Sequence, residues 1–150
     1  MNDEDGFTLL EMVCVLAIVG LMAALVLPHF PRGTSRERLN GYALEAAALL
    51  KADRLAAIRT GRPVATALSG QDKAIRSGST GEILRFPDDV AFDAILAQRC
   101  GDRRVGSTID FFPSGLSCGG TILLARPGAG LQIRVNWLTG GVEVVSVDKS

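Results

Sequence analysis

Apolar positions follow two regimes along this chain, and the change falls near residue 63. From Phe7 to Leu27 the sequence reads FTLLEMVCVLAIVGLMAALVL, apolar almost throughout, with Glu11 the single charged residue. These 21 residues would form a helix of about 31 Å at 1.5 Å per residue, enough for a bilayer core of about 30 Å. Pro28 and Pro31 flank His29 and Phe30, and the first proline is expected to kink or interrupt the helix. Helical character resumes by Ser35. Between Arg36 and Thr60, Leu39, Tyr42, Ala46, Leu49, Leu50 and Ala57 fall on one face at three-four spacing. Arg36, Glu37, Glu45, Lys51, Arg54 and Arg59 mostly face water or neighbours, and Gly61 with Pro63 marks the stop.

Beyond Pro63 the pattern shortens to β-type runs between turn residues. Val64–Leu68, Glu82–Phe86 and Val90–Leu96 come first, followed by the clearer Ser107–Phe112, Gly120–Arg126, Leu131–Trp137 and Val142–Val147. Ser69–Asp72 and Pro87–Asp89 read as turns. Ser77–Gly81 reads as a flexible loop, and Gln98–Gly106 as a polar, basic one. Pro127–Gly130 and Leu138–Gly141 look like hairpin connections. A helix followed by antiparallel strands argues an α+β fold: a long N-terminal helix in two parts, its second half packed on a C-terminal antiparallel sheet or sandwich.

Charge changes the picture only slightly. The 16 basic residues balance the 16 acidic ones, but Asp3, Glu4, Asp5 and Glu11 precede Pro28 and every Lys and Arg follows it. The region after Pro28 therefore carries +4, a mild excess that gives no strong polyanion signal. Arg99, Arg103 and Arg104 are the best candidates for a nucleic-acid surface, and three arginines in one loop are more often solvated. Nucleic acid is not an expected partner. His29 stands alone without a ligand set, so no metal site is expected. A Ser-His-Asp arrangement in the distal region is excluded by the lack of any other histidine. The glycines at 115, 119 and 120 precede a strand and no Lys-Ser/Thr, which argues tight turns and not a phosphate loop. Trp137 is expected to pack in the core or the sheet and not to serve as a stacking platform, and Asp88 and Asp89 to form a turn. No enzymatic activity and no cofactor are expected. Cys14 reads as a small hydrophobe. Cys100 and Cys118 are either two free thiols or, in an oxidising compartment, a disulfide.

The string Gly6-Phe7-Thr8-Leu9-Leu10-Glu11, opening an apolar helix, resembles the class III signal of type IV prepilins and type II secretion pseudopilins. The resemblance implies that a prepilin peptidase/methyltransferase cuts after Gly6 and methylates the new amine on Phe7. A glycine suits the cut because it has no Cβ to obstruct approach to the backbone. Unlike an ordinary secretory signal, the apolar helix would survive processing. A carboxylate in lipid is costly and a functional hypothesis by default. Glu11 would gain by docking against the new amine of a neighbouring subunit, making it a register device for assembly. One feature departs from the pattern. The leader is acidic where such leaders are commonly basic, and Arg32, Arg36 and Arg38 read by charge alone would place the distal part in the cytoplasm. The cleavage motif is the more specific signal.

A second resemblance lies at the other end. Ile109-Asp110-Phe111-Phe112-Pro113-Ser114-Gly115-Leu116-Ser117-Cys118-Gly119-Gly120-Thr121-Ile122 and Arg134-Val135-Asn136-Trp137-Leu138-Thr139-Gly140-Gly141-Val142 are similar to the GspH/FimT family of minor pseudopilins and pilins. Together the two resemblances imply a leader at 1–6, a membrane and filament-core helix at 7–28, the periplasmic half of that helix at 29–61 and a periplasmic β-rich domain at 62–150. They imply a single-pass inner-membrane protein that joins the secretion pseudopilus near its tip. Its partners would be the major and other minor pseudopilins, with secreted cargo or the secretin as further contacts. The alternative is a minor type IV pilin in pilus biogenesis or DNA uptake.

Overall fold

A computed structural model describes residues 7–26 and 33–147. The chain divides after Arg32 into two units. The first contains α1, Leu9–Val26. Thr8 starts it: its carbonyl accepts from the Glu11 and Met12 amides at 3.0 and 3.2 Å, and its hydroxyl accepts from Glu11 N–H at 3.3 Å. At 18 residues α1 measures about 27 Å, and among the described residues no helix is long and apolar enough to cross a membrane. Leu27, Pro28, His29 and Pro31 lie outside the described residues.

The second unit begins at Gly33 and is built on α2, Arg36–Thr60. Its ends follow from local chemistry. Ser35 caps the first turn, its hydroxyl accepting from Arg38 N–H at 3.2 Å, and Gly61 closes the last turn in the left-handed region at φ 65°. Leu39, Ala43, Ala46, Ala47, Leu50, Asp53 and Ala57 form the buried face. Tyr42 and Leu49 pack at its border.

Ten strands follow: β1 Val64–Ser69, β2 Ala74–Arg76, β3 Ile83–Arg85, β4 Ala91–Leu96, β5 Arg99–Cys100, β6 Arg103–Arg104, β7 Thr108–Phe111, β8 Gly120–Arg126, β9 Ala129–Val135 and β10 Val142–Ser146. They make two antiparallel four-stranded sheets, ordered β3-β2-β1-β7 and β10-β9-β8-β4, and a small β5-β6 ribbon. Helix α2 packs on β1 and β7 of the first sheet and on β8, β9 and β10 of the second. One core results, in which Leu39 and Leu50 of α2 meet Ile75, Ile109 and Phe111 of the first sheet and Ile122, Leu124 and Ile133 of the second.

Two expectations are corrected and one strand is added. The stretch between Asp72 and Ser77, which the sequence pattern leaves unassigned, contains β2, too short for periodicity to reveal. The 98–106 loop contains the β5-β6 ribbon. Trp137 is not packed in the sheet: β9 ends at Val135, and Trp137 lies in the following turn, 66% exposed.

Candidate functional site

Every described side chain from Phe7 to Ala24 is exposed. Ten large apolar side chains of α1, from Leu9 to Met22, are each at least 48% exposed. Fully burying one such side chain contributes about 1.5–3 kcal/mol, so α1 is a surface that requires a cover. Glu11 is its only charged residue, in the first turn. Phe7 lies just before the helix, 72% exposed. No ion pair to Glu11 is present among the described residues, where the one salt bridge joins Arg103 to Asp110 at 2.9 Å. Gly6 lies outside the described residues.

The two distal sequence blocks form one structural knot. The 112–116 turn closes with Gly115 N–H donating to Phe112 O and Phe112 N–H donating to Leu116 O. Ser117 joins it to the β9-β10 turn: its N–H donates to Trp137 O and its hydroxyl to Asn136 O, both at 3.0 Å. In that turn the Asn136 side-chain oxygen accepts from the Leu138 and Thr139 amides at 2.8 and 3.0 Å. Arg54 reaches from α2 to both turns, donating from Nε to Gly115 O at 3.0 Å and from Nη2 to Thr139 O at 2.9 Å. It was expected to face water or neighbours; within its own chain it clasps the helix to the ends of both sheets. Gly140 has φ 63°, and a Cβ there would strike the Gly115 carbonyl and the Arg54 guanidinium. The glycine-rich character of these blocks is therefore a packing requirement.

Cys100 and Cys118 are joined as a disulfide, their Cα atoms 5.6 Å apart. The bridge ties the β5-β6 ribbon to the same knot. Arg99, Arg103 and Arg104 all lie on that ribbon. Arg103 is held by Asp110, a buried carboxylate that also accepts from the Thr108 hydroxyl at 2.7 Å.

Asp53 escaped the sequence reading, although it falls three residues after Leu50 and four before Ala57 on the buried stripe. It is wholly buried and accepts five hydrogen bonds. They come from the hydroxyls of Thr66 (2.6 Å), Ser77 (2.6 Å) and Ser79, and from the amides of Gly78 (2.9 Å) and Ser79 (3.1 Å). The 77–81 segment, expected to be a flexible loop, is thus pinned to α2. Burial alone would raise the Asp53 pKa. The Ser77, Ser79, Thr66 and Gly78 hydrogen bonds outweigh it and hold the carboxyl below its ordinary value.

Among the described residues no group of three or more His, Cys, Asp or Glu could hold a metal ion. The arrangement offers an uncovered apolar helix carrying one carboxylate, followed by a rigid helix-on-sheet domain. That is the class of pilin-like proteins. Residues 1–27 match the prokaryotic N-terminal methylation motif, and residues 43–140 match the type II transport protein GspH. The chain belongs to the GspH family.

Among its relatives, the type II secretion system protein H of Xanthomonas campestris pv. campestris is 30% identical over 139 residues, spanning 91% of this chain and 80% of that protein. A fimbrial protein of Pseudomonas aeruginosa is 31% identical over 84 residues, 56% of this chain and 54% of its own length. The minor pseudopilin EpsH from the type 2 secretion system of Vibrio cholerae shares the fold with a TM-score of 0.55 at 11% identity, over 69% of this chain and 93% of that one. The type IV minor pilin FimU of Pseudomonas aeruginosa does so with a TM-score of 0.55 at 14% identity, over 75% and 91%.

Proposed function

We propose that this chain is a minor pseudopilin of a type II secretion system, a structural subunit and not a catalyst. It is anchored in the inner membrane by its N-terminal helix, with the β-rich domain in the periplasm. The observation that carries the reading is a lone carboxylate, Glu11, on a helix whose described side chains are all exposed, in a chain whose distal domain belongs to the GspH family. Water cannot cover α1 cheaply, whereas lipid or neighbouring helices can. Continued through residues 7–28 the helix would be about 33 Å long, enough for a bilayer core of about 30 Å.

A prepilin peptidase/methyltransferase removes residues 1–6, and N-methylated Phe7 becomes the new terminus. Glu11 then pairs with the terminal amine of a neighbouring subunit. Leaving either charge without its partner in low dielectric is costly, so the pair fixes register. The subunit enters the pseudopilus near its tip beside the major and other minor pseudopilins, within reach of secreted cargo or the secretin.

Two substitutions test this. Gly6→Ala should leave a longer, uncut chain in the membrane; normal processing would contradict the leader assignment. Glu11→Ala should be cut normally yet lose co-isolation with the major pseudopilin, and undiminished co-isolation would remove the docking role. The fimbrial relative and the FimU fold favour a second reading, a minor type IV pilin. DNA binding that weakens steeply with salt would support its DNA-uptake form through Arg99 and Arg104.

A further inference from the structure

Glu11 explains how a subunit meets its neighbours but not how the domain is fastened to the chain that precedes it. The first described residues of the domain are Gly33 and Thr34, and Thr34 is held by an element far away in sequence. Asp89 lies 55 residues on, in the turn where the chain passes from β3 of the first sheet to β4 of the second. Its Oδ2 accepts the Thr34 N–H, and its Oδ1 accepts the Thr34 hydroxyl at 2.9 Å. Thr34 is buried, 7% exposed, whereas Asp89 is exposed. A surface carboxylate thus supplies both partners of a buried residue one position before the α2 cap. Gly33 is adapted to the same contact: its φ is 154°, a region side chains rarely adopt, and a Cβ there would approach Asp89 Oδ2 to 3.3 Å.

The turn that carries Asp89 is itself braced from the other side. Lys73 Nζ donates to Asp88 O at 2.7 Å and to Val90 O at 3.0 Å, and Lys73 O accepts from Phe86 N–H at 2.8 Å. Lys73 holds this position at φ 45°, the only non-glycine residue with positive φ among the described residues. Strained backbone persists where its surroundings enforce it. Helix root, first sheet and second sheet therefore meet at the 87–90 turn.

We propose that Asp89, braced by Lys73, is a positioning residue for assembly: it fastens the chain entering the domain to the junction of the two sheets. A pull or twist on the preceding segment then reaches the whole domain and does not unwind the first turn of α2. The proposal rests on the pseudopilin reading for its use, though not for the fastening itself.

The test compares full-length wild type, Asp89→Ala and Asp89→Asn. Amide hydrogen exchange is measured in detergent micelles, and incorporation into pseudopili in cells. In Asp89→Ala the Thr34 amide should exchange at least about tenfold faster, the scale of losing a hydrogen bond to a charged acceptor. The Ile122 and Ile133 amides should stay protected, and incorporation should fall more than the membrane level of the protein. Asp89→Asn, which keeps one acceptor oxygen, should lie between. Unchanged Thr34 exchange would overturn the fastening. Loss of core protection together with Thr34 would reduce Asp89 to a general stabiliser and overturn its positioning role, as would faster Thr34 exchange with undiminished incorporation. Failure of the wild-type chain itself to enter a pseudopilus would overturn the function proposed above and the assembly role with it, leaving the fastening decided by exchange alone.

Discussion

Asp53 shows how much can depend on one side chain. Its carboxylate is the shared acceptor of three hydroxyls and two amides, and it links α2 to β1 and to the 77–79 segment. Asp53→Ala would strand these donors in a buried site, at a cost of about 2–4 kcal/mol, read as a lower denaturation midpoint of the domain. Because folding lowers its pKa, the stability Asp53 contributes is fully present above its unfolded value of 3.8 and is lost as pH falls through the folded value. The stability gap between wild type and Asp53→Asn should be constant above about pH 5 and shrink below pH 3.8. A gap that grew on acidification would contradict the hydrogen-bonded carboxylate. Asp53 was illegible in the sequence because its donors, Thr66, Ser77 and Ser79, are ordinary strand and loop residues until the fold gathers them. Arg54 was misjudged for the same reason: its two acceptors are backbone carbonyls 61 and 85 residues away.

At the level of elements, legibility followed the range of the forces. Helix α2 was readable to its last residue because Ser35, Gly61 and Pro63 act locally. The long strands β8, β9 and β10 were readable from alternation and turn residues. By contrast β2 has only three residues, and each strand of the β5-β6 ribbon has two. The ribbon is polar and is held by a distant disulfide and by Asp110, so no local pattern announces it. Cys100→Ser should cost about 3 kcal/mol, the chain-entropy scale for a loop closed across 18 residues, with the midpoint falling under reducing conditions in the wild type alone. At Gly78 a Cβ would collide with the Ala65 carbonyl. Gly78→Ala should therefore loosen the first half of β1, seen as faster amide exchange at Thr66.

The whole molecule divides its labour between its two units. Among the described residues, the buried core is drawn from α2 and the sheets. A chain starting at Gly33 should therefore fold as a soluble monomer with a cooperative melt, whereas the full chain should require detergent. Aggregation of the shorter chain with loss of β-sheet signal would contradict that division. The N-terminal motif was legible because Gly6 to Glu11 are six adjacent residues opening an apolar run, a signal that needs no folding to be read. Membership of the GspH family was legible because the glycine and asparagine turns of the distal knot admit few substitutes. Trp137 was misplaced because only the turn geometry set by Asn136 shows that the strand ends before it.

The central claim is that a processed N-terminal helix carries this domain into a filament. Intact mass of the protein extracted from membranes of cells containing the secretion system tests it most directly. The expected chain begins at Phe7 and carries one added methyl group. A chain still bearing Met1 through Gly6 would contradict it.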